Sequence, residues 1–494
     1  DLQWAIETMV APDGLTAQQA SFDRRDVTRA WCEALPAGVQ ASLEAIEDLT
    51  DQALADRRMV PIVDGQRQLG DGHRMPRPDG STATAVGVAR RWSTLDMLAV
   101  EEALLERAES SERASAGQVP VQIVDCQLRG RGDLSAEQAR MVRRVTTSGD
   151  GVEVVVGRAG CGKTYALAAA AEVWRAGGYQ PIGLAIAARA AAEMETTAGI
   201  ASTTVAQFLI DADQAPGGLL HDRHVVVVDE ASMVDTRRLA RVLRHVEAAG
   251  AKVVLVGDHH QLPAVEAGGA FAALVGRLGA TELTENRRQR QLWEQDTLNR
   301  LRVGAGGRDG MGDVIAAFGA RGRLHLGATP SAVRAAMVAD WYDARQAGAN
   351  VAMVALRRAD VDELNARARA LLVADGTVAG DGITVGDRAF APGDRVVCLN
   401  NDRRLGVHNG MFGQVVGIDA DESSLTVAVE GTDERVVIPR TYIEDRHVAH
   451  SYATTIHKAQ GATFDRTLLL GDDRLYRQAG YTGLSRGRDR NDLG

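Results

Sequence analysis

The chain has 494 residues, 45% hydrophobic and 25% charged, which suits a globular protein with a sizeable core and room for roughly three or four domains. No apolar run is long enough to span a bilayer, and the opening "DLQWAIETMV" lacks the basic start and apolar run of a signal peptide. The formal charge of -10 argues against a uniformly basic coat for nucleic acid but not against a local basic groove, because screening limits the effective charges to those within about 8–10 Å.

The chain starts without an initiator Met, so the expectation is a start inside a longer protein. Residues 1 to about 130 read as a mainly helical domain, with helical periodicity in "RRDVTRAWCEAL" and "LDMLAVEEALLERA" and a turn-rich loop or hairpin at "DGQRQLGDGHRMPRPDGST". Over 131–285 the apolar runs "VEVVV", "PIGLAIA", "HVVVVDE" and "AKVVLVGD" alternate with helix-like segments, the pattern of a parallel sheet covered on both faces. A second α/β unit follows over 286–389 and 440–494, interrupted at 390–439 by short alternating strands that read as a small barrel. The final "SRGRDRNDLG" reads as a stop just short of a last strand. The expected class is therefore α/β, two nucleotide-binding sheets with a β-barrel insertion and a mainly helical amino-terminal domain.

The four cysteines, Cys32, Cys126, Cys161 and Cys398, are widely spaced, which points to a reducing cytoplasm and away from structural zinc. Of 56 basic residues only three are lysines, Lys163, Lys252 and Lys458, so a retained Lys hints at a need for a compact ammonium.

Two of these lysines stand in motifs. In "GRAGCGKT", residues 157–164, Gly157, Gly160 and Gly162 let the backbone wrap phosphate oxygens together with Arg158, Ala159 and Cys161. Lys163 can reach the β- and γ-phosphates of a nucleotide, and Thr164 can ligate Mg²⁺. "VVVVDEAS" then supplies Asp229 for the metal and Glu230 to orient or deprotonate an attacking water, which favours ATP hydrolysis over storage. Gln261 in "GDHHQLPAV" can contact the γ-phosphate or its water; His259 and His260 are read as loop residues.

In order and spacing, the P-loop, "DEAS", "GDHHQLP", "LTENRRQ", "SYATTIHKAQG" and "YTGLSRGRDR" resemble superfamily 1 helicases over residues 134–490, and the last two are similar to the RecD-like 5′-to-3′ branch. The resemblance implies two RecA-like domains with an SH3-like insertion, and ATP and Mg²⁺ as cofactors. It implies adenine contact by Gln138, arginine fingers at Arg288 and Arg486, and Gln460 and Gly461 at the nucleotide–DNA seam. It also implies contacts to single-stranded DNA by Arg189, Thr203, Thr204, His457 and Lys458.

The amino-terminal "TAQQASFDRRDVTRAW" and "RRWSTLDMLAVEEALL" resemble the segment before the motor in MobF-class conjugative relaxase–helicases, which makes transfer-machinery or relaxosome proteins the expected partners. The family's metal-binding histidine triad and nicking tyrosine have no counterpart here, so relaxase chemistry, where present, is expected ahead of Asp1. Two other readings stay open: a RecD-like repair helicase with the same core motifs, and a single-strand-binding module that has lost its motor. The second predicts decay at Lys163, Asp229, Glu230 or Arg486, and all four are intact.

Overall fold

The computed structural model describes residues 2–35, 39, 41–62, 74–76, 82–84, 90–262, 264, 267–304, 307–379 and 381–494. Its first large sheet has six parallel strands in the spatial order Thr281–Leu283, Val152–Gly157, Lys252–Gly257, His224–Val228, Gln180–Ala185 and Ala201–Thr204. The valine runs form central strands because both faces are covered, and the two-residue period sorts their side chains. Val154, Val156, Val226, Val228, Val253 and Leu255 pack with Phe208, Leu239, Val242 and Phe271 on one face. Val155, Val225, Val227, Val254 and Val256 pack with Met141, Leu167 and Trp174 on the other.

This packing unit starts earlier than the expected boundary at residue 131. Leu104 and Ala108 of the helix Leu95–Ser110 belong to the first face, and Val124 of the helix Val121–Arg129 to the second. Helical periodicity is visible in "LDMLAVEEALLERA", but it does not say which sheet the helix covers.

Ahead of it, the helices Leu2–Val10, Arg24–Ala34 and Leu43–Leu54 surround Phe22, Trp31 and Met59. A three-stranded antiparallel sheet, Phe22–Asp23, Arg91–Thr94 and Met59–Ile62, joins them, so this region is mixed rather than helical alone. Of the turn-rich 64–82 stretch, Arg74–Pro76 pairs with Thr82–Thr84 as a hairpin, and the rest lies outside the described residues.

The second sheet has four parallel strands in the order Ala453–Thr455, Val351–Ala355, Phe464–Leu469 and Gly487–Leu493. The last of these corrects the expectation that the pattern stops before a final strand: "GRDRNDL" is itself that strand. Its polar residues are held by partners instead of apolar packing, with Asn491 Nδ2 donating to Glu294 (2.9 Å) and the Asp492 carboxylate accepting from Arg466 (2.7 Å). Hydropathy does not mark such a strand, because paired polar groups can be buried at little net cost.

The insertion is a five-stranded antiparallel sheet in the order Arg435–Ile438, Ser424–Val429, Phe412–Asp419, Arg395–Cys398 and Val448–His450. Its core also draws on Ile383, Phe390, Ile443 and Val448, so it packs over a wider span than the expected 390–439. Among the described residues no helix is long and apolar enough to cross a membrane.

The third retained lysine has a structural place. Lys252 is fully buried, and its Nζ donates to the Asp150 carbonyl (2.7 Å) and the Ser148 hydroxyl (3.1 Å). Burial pulls its pKa down to about 8, against the opposing pull of Glu153 and Asp150. Between about pH 8 and the ordinary 10.5 the unfolded chain therefore binds more protons at this residue than the folded one, and its contribution to stability rises with pH. Wild type should gain stability relative to Lys252→Met across that window, measured as the difference in urea midpoint. A flat difference would mean that Lys252 titrates normally.

Candidate functional site

The strand Val152–Gly157 runs into the loop that opens the helix Lys163–Ala176. Gly162 caps this helix in the left-handed region (φ 76°) and offers no side-chain cap. The amides of the first turn thus point, without a capping acceptor, toward the place where an anion would sit. A Cβ on Gly157 would lie 2.5 Å from Lys163 Cγ and Cδ, so only glycine lets the lysine stem fold back across the strand end. That stem brings Nζ to 3.0 Å from Glu230 Oε1.

Burial works against the Lys163 ammonium, but Glu230 and then Asp229 outweigh it and hold its pKa above the ordinary lysine range. Burial would likewise raise Glu230, and Lys163 followed by Arg486 holds it below the usual carboxylate range. Asp229 is pushed up to about 6, first by burial and then by Glu230 beside it. Glu230 also takes a left-handed backbone (φ 48°), which costs a non-glycine residue about 1–3 kcal/mol and is commonest at functional sites. The Cys161 thiol is buried and pushed up to about 11 by that burial, so it packs as an apolar group rather than acting as a nucleophile.

The opposite wall comes from the second sheet. Arg486 is 2% exposed; its Nε donates to Thr482 O (2.8 Å), and its terminal nitrogen reaches Gln261 Oε1 at 3.3 Å. Arg288 donates to Ser485 O at 2.9 Å, and burial, then the proximity of Arg486, pulls its pKa down to about 9. Gln460 Nε2 lies 3.4 Å from Glu230 Oε2, and its own Oε1 is buried without a partner. Gly461 follows it in the left-handed region (φ 86°). Lys163, Glu230, Gln261, Arg288, Arg486 and Gln460 therefore converge on one cleft although the chain separates them by up to 323 residues (486 minus 163).

Three residues in this cleft were not singled out in the sequence. Asp258 is fully buried and accepts both Arg302 Nη2 (3.0 Å) and Nε (3.3 Å), and Gln261 donates to it at 3.3 Å. Tyr481, from the second domain, accepts the Ala159 amide of the phosphate loop at 3.2 Å and stands 3.4 Å from Asp258. Arg302 carries no motif signal. The aspartate and tyrosine lie inside "GDHHQLP" and "YTGLSR", where position next to a noted residue was the available hint.

The remaining expected residues fall in two groups. Gln138 is buried against the phosphate loop, donating to Cys161 O (3.2 Å) and accepting from Ser135 N (3.0 Å), so its amide braces the loop and caps its own helix. Arg158 pairs with Asn299 at 2.7 Å. Arg189 stacks on Phe412 of the inserted sheet (4.9 Å), and Thr204 caps the helix Val205–Gln214, whose Gln207 accepts from Arg403 of the insertion at 2.6 Å. Thr203 precedes it on the strand Ala201–Thr204, and His457 and exposed Lys458 begin the short helix after Ala453–Thr455. Arg189 and the helix that Thr204 caps thus both meet the inserted sheet. The His259 and His260 rings pack against each other at a tilt (centroids 4.2 Å, 39°), and burial, then Arg302, pulls His260 down to about 4.

Thr164, second residue of its helix, and Asp229 are the residues expected to hold a metal. Hydroxyl and carboxylate oxygens suit Mg²⁺. Among the described residues no group of three or more His, Cys, Asp or Glu could hold a metal, so a cation here would share its ligands with phosphate oxygens.

Residues 133–329 match the family model of an AAA domain. The chain is 33% identical over 488 residues to the probable conjugal transfer protein TraA of Sinorhizobium fredii (strain NBRC 101917 / NGR234), covering 98% of this chain and 41% of that protein. It is 29% identical over 376 residues to the ATP-dependent RecD2 DNA helicase of Deinococcus radiodurans, covering 73% of this chain and 49% of that protein. A structure from work on unwinding of forked duplex DNA by two coordinating Pif1 helicases shares the fold, with a TM-score of 0.50 and 19% identity over 73% of this chain and 92% of that one. The chain thus spans less than half the length of these curated relatives. The chain is thus similar over most of its length to conjugal transfer proteins and to a RecD2 helicase, and it carries the phosphate loop of the matched AAA domain.

Proposed function

We propose that the chain is an ATP-driven translocase on single-stranded DNA and a 5′-to-3′ helicase, the motor portion of a conjugative transfer protein. One observation carries this reading: basic and amide side chains of the second domain meet the phosphate loop and carboxylates of the first in one buried cleft, with Arg486 3.3 Å from Gln261 and Gln460 3.4 Å from Glu230. A nucleotide held there touches both domains, so its turnover changes how they sit together.

In this reading the free amides before Lys163 and its ammonium hold the β- and γ-phosphates. The phosphate then competes with Glu230 for Lys163, and the released carboxylate can orient or deprotonate water. Gln261 aligns that water, and the guanidinium groups of Arg288 and Arg486 balance charge building on the transferred group. Mg²⁺, held by Thr164 and Asp229, would neutralise phosphate charge. Gln138 and Gly461 border the nucleotide. Arg189, Thr203 and Thr204 on the first domain and His457 and Lys458 on the second would hold the strand in alternation as the two RecA-like domains close and open. The inserted sheet takes the place of the SH3-like subdomain, and its Phe412 and Arg403 contacts to the first domain support a role in guiding the strand. A cytoplasmic setting and relaxosome proteins as partners follow from the likeness to conjugal transfer proteins.

Lys163→Ala should abolish ATP turnover and leave single-strand affinity within a few-fold, because the strand is held by separate surfaces; a purified variant with near-normal turnover would remove the phosphate-loop role. ATPase activity should rise sharply with single-stranded DNA, and much less with blunt duplex, and strand binding should weaken with salt. Tailed duplexes should open from a 5′ tail; opening only from a 3′ tail would reverse the polarity.

Arg486 gives a sharper comparison. Arg486→Lys should lower kcat by roughly 10³–10⁵, the range found for arginine fingers, with ATP affinity changed only a few-fold. Exposed Arg488, paired with Asp465 at 2.7 Å, serves as the control, and Arg488→Lys should turn over normally. Equal mild effects at the two positions would mean that no finger sits at Arg486.

A further inference from the structure

An arginine acts as a finger only if the peptide that carries it is fixed, because its long side chain aims no better than its Cα. Arg486 sits in the short link between the helix Arg477–Leu484 and the strand Gly487–Leu493. That link is gripped from outside. Gln289 Nε2 donates to both carbonyls that flank the arginine, Ser485 O at 3.1 Å and Gly487 O at 2.7 Å. Its Oε1 accepts from Asn286 Nδ2 at 2.7 Å, which orients the amide so that its NH₂ faces the two carbonyls. Its own main-chain carbonyl accepts from Gln295 at 2.7 Å. On the other side Asn491 takes the Gly487 N–H (2.8 Å) and donates to the Gly487 carbonyl (3.0 Å).

The same turn also touches the phosphate loop. The Arg287 amide donates to Gly160 O at 2.8 Å, two residues before Gln289 in the sequence. One short segment, Asn286 to Gln289, is thus tied to the cradle at one end and to the backbone of Arg486 at the other. Gln289 is 2% exposed, so no water replaces its bonds. An apolar residue could fill the same space, but it would leave Ser485 O with Arg288 and Gly487 O with Asn491 as their side-chain donors and untie the turn from both.

We propose that Gln289 is a positioning residue: it sets the register of Arg486 against the phosphate cradle before nucleotide arrives. The inference rests on the proposed finger role of Arg486 and extends it to a residue that touches neither nucleotide nor DNA.

A double-mutant cycle tests it, with DNA-stimulated turnover and ADP affinity measured for Gln289→Leu, Arg486→Lys and the double variant. Gln289→Leu alone should lower kcat by about 10–100-fold, the cost of a small misplacement of a catalytic group, while KM and ADP affinity stay within a few-fold. In the Arg486→Lys background it should cost less than about twofold more, since the finger it aims is already lost. Equal losses in both backgrounds, or wild-type kcat in Gln289→Leu, would overturn the positioning role and leave the finger intact. Wild-type kcat in Arg486→Lys would overturn the finger and this inference with it. Gln289→Met keeps the length and removes the amide donors without adding a charge, so it carries the same cycle should the leucine variant fail to fold.

Discussion

The site is organised around a partly buried ion pair. Lys163 and Glu230 lie 3.0 Å apart in a cleft closed by a second domain, and each keeps its charge against the cost of burial because of the other. Removing either partner would leave the other's charge less well compensated. A phosphate group is the natural competitor for the lysine, since it brings more negative charge than one carboxylate and meets the free amides of the same loop. The raised pKa of Asp229 and the strained backbone of Glu230 belong to the same preorganisation: charge and geometry are set in advance, at a cost met by the surrounding sheet.

Around that pair, the two domains are joined by polar groups rather than by apolar packing alone. Asp258 collects Arg302 and Gln261 and stands 3.4 Å from Tyr481, whose hydroxyl also takes a phosphate-loop amide. Gln261 continues the chain to Arg486. Hydrogen bonds of this kind are directional, so a shift of either domain breaks several at once, whereas an apolar interface would slide. That is the property a motor needs where a small change at the phosphate must become a movement of whole domains.

Much of this was legible in the sequence because phosphate binding demands particular residues at fixed spacing. Glycine at 157 and 162, the lysine and the acidic pair at a strand end follow from backbone geometry and charge, and both sheets follow from buried valine runs. What escaped did so for physical reasons. The strand Gly487–Leu493 has no apolar signature because hydrogen-bonded polar side chains fill it. The helix Leu95–Ser110 shows its periodicity but not the sheet it covers. Asp258, Arg302, Tyr481 and Gln289 act through partners distant in the chain, and no local pattern records a partner.

The central claim is that turnover in this cleft moves the chain along a single strand. The direct measurement is ATP-dependent displacement of streptavidin from oligonucleotides biotinylated at one end, which needs no duplex and so separates translocation from unwinding. The account predicts rapid displacement from the 3′ end, little from the 5′ end, and none without ATP. Vigorous DNA-stimulated hydrolysis with no displacement from either end would contradict it.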